Sequence, residues 1–226
     1  TLNDSYTQMA QTGSMLNAAN NQLSHYPSRP SGMSDELYEL GCTGTSSSNI
    51  AMTSWRSSLL KSLMMWMDDS DSFNIDRLGH RRWILNPTMQ QTGFGYAVSN
   101  SGAAYSSVYV FDYDRHNMDV TGVAWPAMVM PKRYFDSSSA WSYSYGSSLN
   151  GNVSVKLQCL TTGKERTWNF SSAASDGYFN VDNGGYGQKG CVIFKPDSIS
   201  LQAGEDYEVT ITQDAAVIAD YTVHFF

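Results

Sequence analysis

Residues 79–87 read GHRRWILNP and residues 92–97 read TGFGYA, and these two segments are the most informative part of the chain. The dipeptide Asn86-Pro87 indicates the end of a helix, because the residue before a proline is pushed away from helical backbone angles. We therefore predict a short helix over residues 77–85 and a strand over residues 92–98. The second segment is a short apolar run spaced by glycines.

His80 lies near the start of this predicted helix, where its imidazole can face a cleft. An upstream helix, predicted over residues 54–67, runs into the acidic sequence Asp68-Asp69-Ser70-Asp71. Carboxylates at a helix C-terminus oppose the negative end of the helix dipole, so another group must hold them. Two interpretations stay open, pairing with the arginines at 77, 81 and 82, or a site that contains His80.

The composition indicates a globular chain of two domains. The 226 residues carry 14 basic and 21 acidic side chains, for a net charge of −7, so we expect no nucleic-acid partner. No apolar run approaches the roughly 20 residues of a membrane helix. Charged residues make up only 15% of the chain, which favours an exported protein, and the start at Thr1 is what we expect of a mature or trimmed chain.

The first third of the chain predicts helices and loops. Apolar residues at spacings of three and four predict a helix over residues 4–23, capped by Asp4 or Ser5, and His25 then begins an exposed loop. Residues 34–40 predict a short capped helical turn that Gly41 closes. The polar stretch Thr43–Ser48 predicts a loop.

The remaining chain predicts strands. Phe94–Ser99 and Ser107–Tyr113 form a hairpin across Asn100-Ser101-Gly102, and residues 121–140 are the best candidate for a domain boundary. Short alternating runs beyond the boundary predict a β-sandwich without helices. They are Val153–Cys159, Glu165–Phe170, Tyr178–Val181, Cys191–Lys195, Tyr207–Thr212 and Ala216–Phe225.

The chain has three cysteines, so at least one is unpaired. Cys159 and Cys191 lie in predicted strands and could be bridged, whereas Cys42 lies alone near the start. The absence of a Cys-x-x-Cys pair argues against a thiolate zinc site.

The order of these motifs resembles the CAP superfamily of cysteine-rich secretory, antigen 5 and pathogenesis-related proteins, in a version similar to its bacterial members. The resemblance rests on the helix that ends before His25, the segment Ser48-Asn49-Ile50-Ala51, the segment Trp66-Met67-Asp68-Asp69 and the stretch from Gly79 to Gly95. It covers about residues 1–120, with an opening helix missing or truncated at Thr1. It implies an α+β chain, in which a CAP-type α-β-α sandwich over 1–120 and a linker over 121–140 precede an all-β domain. Residues 141–226 resemble the immunoglobulin-like sandwich that follows such domains in some bacterial surface proteins.

The resemblance also implies a cleft built from two histidines and two acidic residues, which binds zinc or another divalent ion in some members. The histidines correspond to His25 and His80, and the second acidic residue corresponds to Asp69. Ser48, beside Asn49, stands where the family has a glutamate, and serine cannot supply a carboxylate. Two glutamates of the preceding turn, Glu36 and Glu39, are candidates to replace it.

Three functions follow as hypotheses. The first is a secreted, non-enzymatic module whose cleft binds a small ligand, a lipid, a cell-surface component or a divalent metal, with no cofactor required. The second is a hydrolase in which Asp69 orients His80 as general base. The sequence has no Gly-x-Ser-x-Gly motif for such an enzyme, although Cys42 paired with His25 is conceivable as a nucleophile. The third is a structural adhesin with a vestigial cleft.

Overall fold

The computed structural model describes residues 1–116, 120, 122–172 and 177–226. Contacts divide the chain into two compact units. The first contains Thr1–Met67 and Trp83–Met118, and the second contains Asp68–Arg82 and Asp119–Phe226. The predicted domain boundary at residue 121 falls on a residue outside the described part.

The first unit is built on a three-stranded antiparallel sheet in the order β1-β3-β2. The strands are β1, Ser48–Thr53; β2, Phe94–Val98; and β3, Ala104–Tyr109. The helices are α1, Asp4–Asn20; α2, Asp35–Ser46; and α3, Leu59–Asp68. A further short helix, α4, spans Gly79–Ile84 and crosses from one unit to the other.

Helices cover both faces of this sheet. Alternate residues of a strand point to opposite faces of the sheet. Ser106 and Ser107 of β3 are neighbours, so their side chains lie on opposite faces. The Ser14 hydroxyl of α1 donates to Ser107 at 3.0 Å, and the Ser62 hydroxyl of α3 donates to Ser106 at 3.0 Å. The resulting layers are helix, sheet and helix, as the family resemblance implies.

Gly95 of β2 and Gly93, the residue before the strand, allow α1 to lie directly on it. A Cβ atom added at Gly95 would stand 2.1 Å from the Ala10 carbonyl oxygen, and one at Gly93 would stand 2.2 Å from the Thr7 nitrogen. Both distances are far below van der Waals contact. The spacing seen in the sequence is therefore a requirement for close backbone approach.

Several local predictions are wrong at their boundaries. The strand predicted over Ser107–Tyr113 is Ala104–Tyr109, and the helix predicted over residues 77–85 spans only Gly79–Ile84. The cap of α1 is Asn3, whose side chain accepts the Tyr6 N–H at 3.1 Å, and the helix ends at Asn20 because Asn21 adopts left-handed angles. Helix α2 runs past Gly41 to Ser46, so most of the predicted Thr43–Ser48 loop is helical. Helix α3 begins at Leu59 rather than at residue 54, because Trp55 and Arg56 also have positive φ angles.

The second unit contains two sheets around one hydrophobic core. One has the order β4-β6-β10-β9 and the other β5-β12-β11-β7-β8. Their strands are β4, Val123–Trp125; β5, Val129–Met130; β6, Trp141–Ser144; β7, Val153–Cys159; β8, Glu165–Trp168; β9, Gly177–Asp182; β10, Cys191–Pro196; β11, Asp206–Gln213; and β12, Ala216–Phe225. A short 3-10 turn spans Lys132–Tyr134.

Trp141 on β6 stands at the centre of this core. It is fully buried, and its ring centroid lies 5.8 Å from that of Phe194 on β10 and 5.9 Å from those of Tyr207 and Phe225 on the other sheet. The aromatic rings thus join the inner faces of the two sheets, which agrees with the predicted sandwich. The immunoglobulin-like identity of this sandwich stays a prediction.

Three expectations for this region differ from the structure. The predicted linker 121–140 contributes β4 and β5, which pair with β6 and β12. Strand β6 was not predicted, because all four of its residues are buried and it lacks the alternation of a half-exposed strand. The proposed bridge between Cys159 and Cys191 is wrong, because all three cysteines are free.

No helix in the described ranges is both long and apolar enough to cross a membrane.

Candidate functional site

Asp69 and His80 are the two predicted site residues that the structure brings together. His80 Nδ1 lies 2.8 Å from Asp69 Oδ1. The Asp69 side chain is 2% exposed, whereas that of His80 is 33% exposed. A buried carboxylate therefore holds a ring that reaches solvent.

The same carboxylate also holds the backbone at the start of α4. Asp69 Oδ2 accepts the N–H of His80 at 2.9 Å and that of Arg81 at 3.4 Å. The first N–H groups of a helix have no partner within the helix, and the positive end of its dipole favours an anion. Asp69 can reach them because it follows α3 in a left-handed conformation, with φ of 47°. Ring and backbone of His80 are thus fixed by one side chain.

This arrangement determines which ring nitrogen of His80 carries the hydrogen. A carboxylate oxygen accepts hydrogen bonds, so Nδ1 carries the hydrogen and the neutral ring presents its lone pair at Nε2. Histidines that bind metals or exchange protons are oriented in this way by a carboxylate partner. Nε2 is therefore the acceptor nitrogen of the ring.

Arg81, next to His80, anchors α4 within the second unit. Its guanidinium is fully buried and donates to the Ala140 carbonyl at 2.8 Å, to the Ser142 hydroxyl at 3.1 Å and to the Asp68 carbonyl. Burial lowers the pKa of Arg81 to about 10, although Asp69, Cys191 and Asp68 act in the opposite direction. Arg81 therefore stays charged at neutral pH, and its hydrogen bonds hold the start of α4, next to His80, in the second unit.

Arg82 provides a second anchor. It is 2% exposed, pairs with Asp182 and donates to the carbonyls of Arg77 at 2.9 Å and Gly184 at 2.6 Å. Its guanidinium also stacks on the Tyr186 ring at 5.2 Å from the centroid. The sequence analysis suggested Arg82 as a partner for the acidic residues 68–71. It did not predict the observed partner, Asp182, which lies a hundred positions away in the chain.

The acidic run is held by several different groups. Asp68 Oδ1 accepts the Ser139 hydroxyl at 2.6 Å. Asp71 accepts the Phe73 N–H at 2.9 Å and the Asn74 amide at 2.8 Å. Partial burial would raise the pKa of Asp71, but these hydrogen bonds outweigh it and the pKa is lowered. The sequence left two interpretations open, pairing with the arginines or a site that contains His80. For Asp69, the structure supports the site that contains His80.

A second aspartate–histidine pair shows what distinguishes this one. His224 Nδ1 lies 2.8 Å from Asp206 Oδ1, the same distance as in the first pair, but both side chains are nearly half exposed, at 46% and 45%. Asp206 and His224 are opposite one another on β11 and β12. Burial of Asp69, rather than the ring contact itself, is the distinctive feature of the site.

His25 belongs to the first unit, where Thr45 holds it. Its Nδ1 lies 2.7 Å from the Thr45 carbonyl oxygen, and the Thr45 hydroxyl donates to the His25 carbonyl at 2.9 Å. A carbonyl only accepts, so Nε2 is again the acceptor nitrogen. The expectation that His25 and His80 share a cleft stays a prediction.

The remaining predicted residues lie in the first unit. Ser48 and Asn49 begin β1 and are 4% and 3% exposed. Within the described residues, the Ser48 hydroxyl is a buried oxygen without a hydrogen-bond partner. Glu36 and Glu39 are exposed on α2. Cys42, also on α2, is half-buried and free.

A metal site made of protein ligands alone needs several donors in one place. Structural zinc usually takes four ligands and catalytic zinc three. Over residues 1–116, 120, 122–172 and 177–226, no group of three or more His, Cys, Asp or Glu side chains could hold a metal ion. Serine at position 48 is consistent with this lack.

Comparison with known proteins agrees with the fold of the first unit. No curated protein and no solved structure matches the chain. The family model described as CAP, cysteine-rich secretory protein family, matches residues 1–113, which is half of the 226 residues. This span includes the helix–sheet–helix layers, Gly93 and Gly95, and Asp69 with His80. The chain is thus a member of the cysteine-rich secretory protein family.

Proposed function

We propose that this chain is a secreted bacterial CAP-domain protein that acts as a non-enzymatic extracellular binding module. Its ligand is a small molecule, a lipid, a cell-surface component or a divalent metal ion, bound at a site that includes His80. The observation that carries this proposal is the buried Asp69 carboxylate, which fixes both the ring and the backbone of the partly exposed His80.

A fixed ring favours binding for an energetic reason. Immobilising a flexible side chain on binding costs about 0.5–1.5 kcal/mol, and a side chain that is already held avoids most of that cost. His80 is held at Nδ1 and at its backbone N–H, and its helix is anchored by Arg81. Family membership supports the same reading, because CAP proteins are commonly secreted.

The experiment is a titration of the full chain followed through the imidazole nitrogens by NMR. The probes are zinc chloride, a short-chain lysophospholipid and a set of small carboxylic acids and alcohols. We expect at least one probe to shift the His80 Nε2 resonance and to lose affinity about tenfold or more in His80→Ala, which removes one directed contact of about 1.4 kcal/mol.

His224→Ala is the matched control, since it removes a ring with the same Nδ1–carboxylate distance from an exposed pair. It should leave binding unchanged. Equal losses in both variants, or no response of His80 to any probe, would refute the binding site. His25→Ala with zinc tests separately the predicted contribution of His25 to metal binding.

The oriented ring of His80 also favours a second candidate, a hydrolase. With Nδ1–H donated to Asp69, Nε2 can accept a proton from a water molecule as a general base. A panel of peptide and ester substrates checks this function. Turnover that His80→Ala abolishes and His224→Ala preserves would rank the hydrolase above the binding module.

The structural alternative, an adhesin with a vestigial cleft, would leave His80 buried. The ring is 33% exposed, which favours the binding module.

A further inference from the structure

One end of the sheet in the first unit brings two connections of the chain together. Ala104, at the start of β3, pairs with Thr53 at the end of β1 and with Val98 at the end of β2. The loop after β1 and the turn between β2 and β3 are therefore neighbours. The Arg56 N–H of the loop donates to the Gly102 carbonyl of the turn at 3.0 Å. We call this end the sheet tip, and it comprises residues 52–61 and 98–103.

Trp55 projects from the sheet tip into solvent. It is 83% exposed, and its ring lies beside Gly102. Trp55 and Arg56 both have positive φ angles, of 57° and 38°. Such angles are unfavourable for bulky side chains and persist only where the surrounding structure holds them. The hydrogen bond from Arg56 to Gly102 holds this loop, so Trp55 is presented outward by a fixed backbone.

Further apolar side chains of the sheet tip are exposed. They belong to Met52, Leu60 and Val98. A groove of about 510 Å³ continues this surface between α1 and the end of β2, and its lining consists of Met, Ala, Val, Ser and Asn residues. Single exposed apolar residues are ordinary, whereas a group of them around a tryptophan marks an interaction surface.

The charge of the sheet tip is opposite to that of the whole chain. Arg56 and Lys61 are the only charged residues between positions 49 and 67, and the segments 5–24 and 83–111 contain none. Both side chains are exposed, and within the part of the chain that the structure describes neither takes part in an ion pair. The whole chain has a net charge of −7. The sheet tip thus presents two cations on an otherwise uncharged apolar surface.

We propose that the sheet tip docks on the surface of an anionic lipid bilayer. Trp55 enters the headgroup region, where tryptophan is enriched in membrane proteins because its ring is apolar and its N–H is polar. Arg56 and Lys61 lie against lipid phosphates, since basic side chains are attracted to the negative surface potential of such a bilayer. This contact involves no residue of the proposed ligand site at His80.

Charge favours a bilayer over a second copy of this chain as the occupant. In a two-fold symmetric dimer the same surface occurs on both partners, so Arg56 and Lys61 would meet their own copies across the contact. Like charges in an interface are unfavourable. An anionic bilayer offers the opposite charge, together with an apolar layer for Trp55.

The experiment measures co-sedimentation of the full chain with sucrose-loaded lipid vesicles. One set contains phosphatidylcholine alone, and the other also contains phosphatidylglycerol, which is anionic. We expect binding to the anionic vesicles to be at least about tenfold tighter, because each basic side chain near the surface contributes about a fivefold gain. High salt should weaken this binding, because salt screens the attraction.

Trp55→Asn tests the aromatic contact. Asparagine tolerates left-handed angles, so the loop should keep its conformation. Binding to anionic vesicles should fall about tenfold or more, because the variant loses the apolar area that enters the bilayer. Phe73→Asn is the matched control, because Phe73 is 81% exposed but lies in the second unit between Asp71 and Asp76. It should bind as wild type does.

Tryptophan emission tests whether Trp55 enters the bilayer. Lipids brominated on the acyl chain should quench the emission of wild type more strongly than that of Trp55→Asn, which lacks one of the six tryptophans. Equal quenching in the two proteins would contradict insertion of Trp55.

The double variant Arg56→Gln with Lys61→Gln tests the charge. It should lose most of the preference for anionic vesicles. The control is Lys164→Gln with Lys189→Gln, which removes two exposed cations of the second unit and should keep the preference.

Equal binding to both kinds of vesicle, no binding to either, or equal losses in Trp55→Asn and Phe73→Asn would overturn the proposal. So would a dimer, seen by light scattering, that Trp55→Asn dissolves without any binding to vesicles. Loss of vesicle binding in His80→Ala, with Trp55→Asn unaffected, would place the lipid at His80 instead. This proposal and the ligand site at His80 can therefore fail separately.

Discussion

Asp69 connects three groups that would otherwise lack a common partner: the His80 ring, the first N–H groups of α4, and the buried charge of Arg81. The left-handed conformation at Asp69 turns the chain so that the carboxylate points toward α4. Aspartate tolerates these angles better than most residues because its short side chain can bond locally. One carboxylate therefore combines a structural and a positioning role.

Asp69→Ala should destabilise the second unit strongly. The substitution leaves the buried Arg81 guanidinium with less compensating charge and the N–H groups of α4 without their acceptor. A buried donor left without its acceptor typically costs about 1–3 kcal/mol, and more where a charged group is involved. Urea unfolding of the full chain measures this change.

Asp206→Ala is the control for this experiment, because it removes an aspartate with the same ring contact from an exposed site. Exposed ion pairs contribute about 0–1 kcal/mol, so this variant should unfold close to wild type. Similar losses in the two variants would show that burial of Asp69 does not set its importance.

The length of α2 is decided by its contact with α1. A Cβ atom at Gly44 would stand 1.9 Å from the Met9 carbonyl oxygen, and one at Gly41 would stand 2.4 Å from the Leu16 side chain. The glycines of α2 thus form a flat surface for the neighbouring helix. Read alone, Gly41 indicates the end of a helix, whereas in the folded chain it allows helix packing.

Gly44→Ala should destabilise the first unit by about 1–3 kcal/mol, the usual range for overpacking. The added methyl group meets backbone, which cannot move aside, and this exceeds the roughly 1 kcal/mol that alanine gains in helix propensity. Gly41→Ala should cost less, because it meets a side chain. Thermal unfolding followed by circular dichroism measures both changes.

Glu39→Ala, an exposed change on the same helix, serves as the control and should shift the unfolding temperature little. Greater stability of Gly44→Ala than of wild type would contradict the close crossing of α1 and α2.

At the scale of the whole molecule, the division into units does not follow the order of the chain. The segment Asp68–Arg82 belongs with residues from 119 onward, although it lies inside the part that matches the CAP family. Its anchors are the Ala140 carbonyl for Arg81 and the Asp182 carboxylate for Arg82. The segment that carries His80 thus depends on residues that follow the family domain.

A fragment ending at residue 120 should therefore lose order in residues 68–82. Without residues 140 and 182, two buried guanidinium groups lose acceptors, and an unpaired buried charge is strongly unfavourable. Hydrogen exchange with mass spectrometry should show faster exchange for this segment in the fragment than in the full chain. Equal protection in both would contradict its assignment to the second unit.

The sequence alone determined the features that depend on neighbouring residues. Periodicity located α1 and most strands of the sandwich, with β7 and β12 matched at both ends. The Gly-His-Arg to Asn-Pro block and the glycine-spaced strand identified the family. The pairing of Asp69 with His80 could also be inferred, because the two residues are only eleven positions apart.

Only the tertiary structure decided the features that depend on distant residues. It assigned Asp182 to Arg82, extended α2 through its glycines, placed Cys159 and Cys191 in different sheets, and formed β6 as a strand buried on both faces. Local patterns record backbone preference and the direction of burial. They do not show which distant carboxylate pairs with a buried cation, or which backbone segment packs against a glycine. Those contacts exist only after the chain has folded.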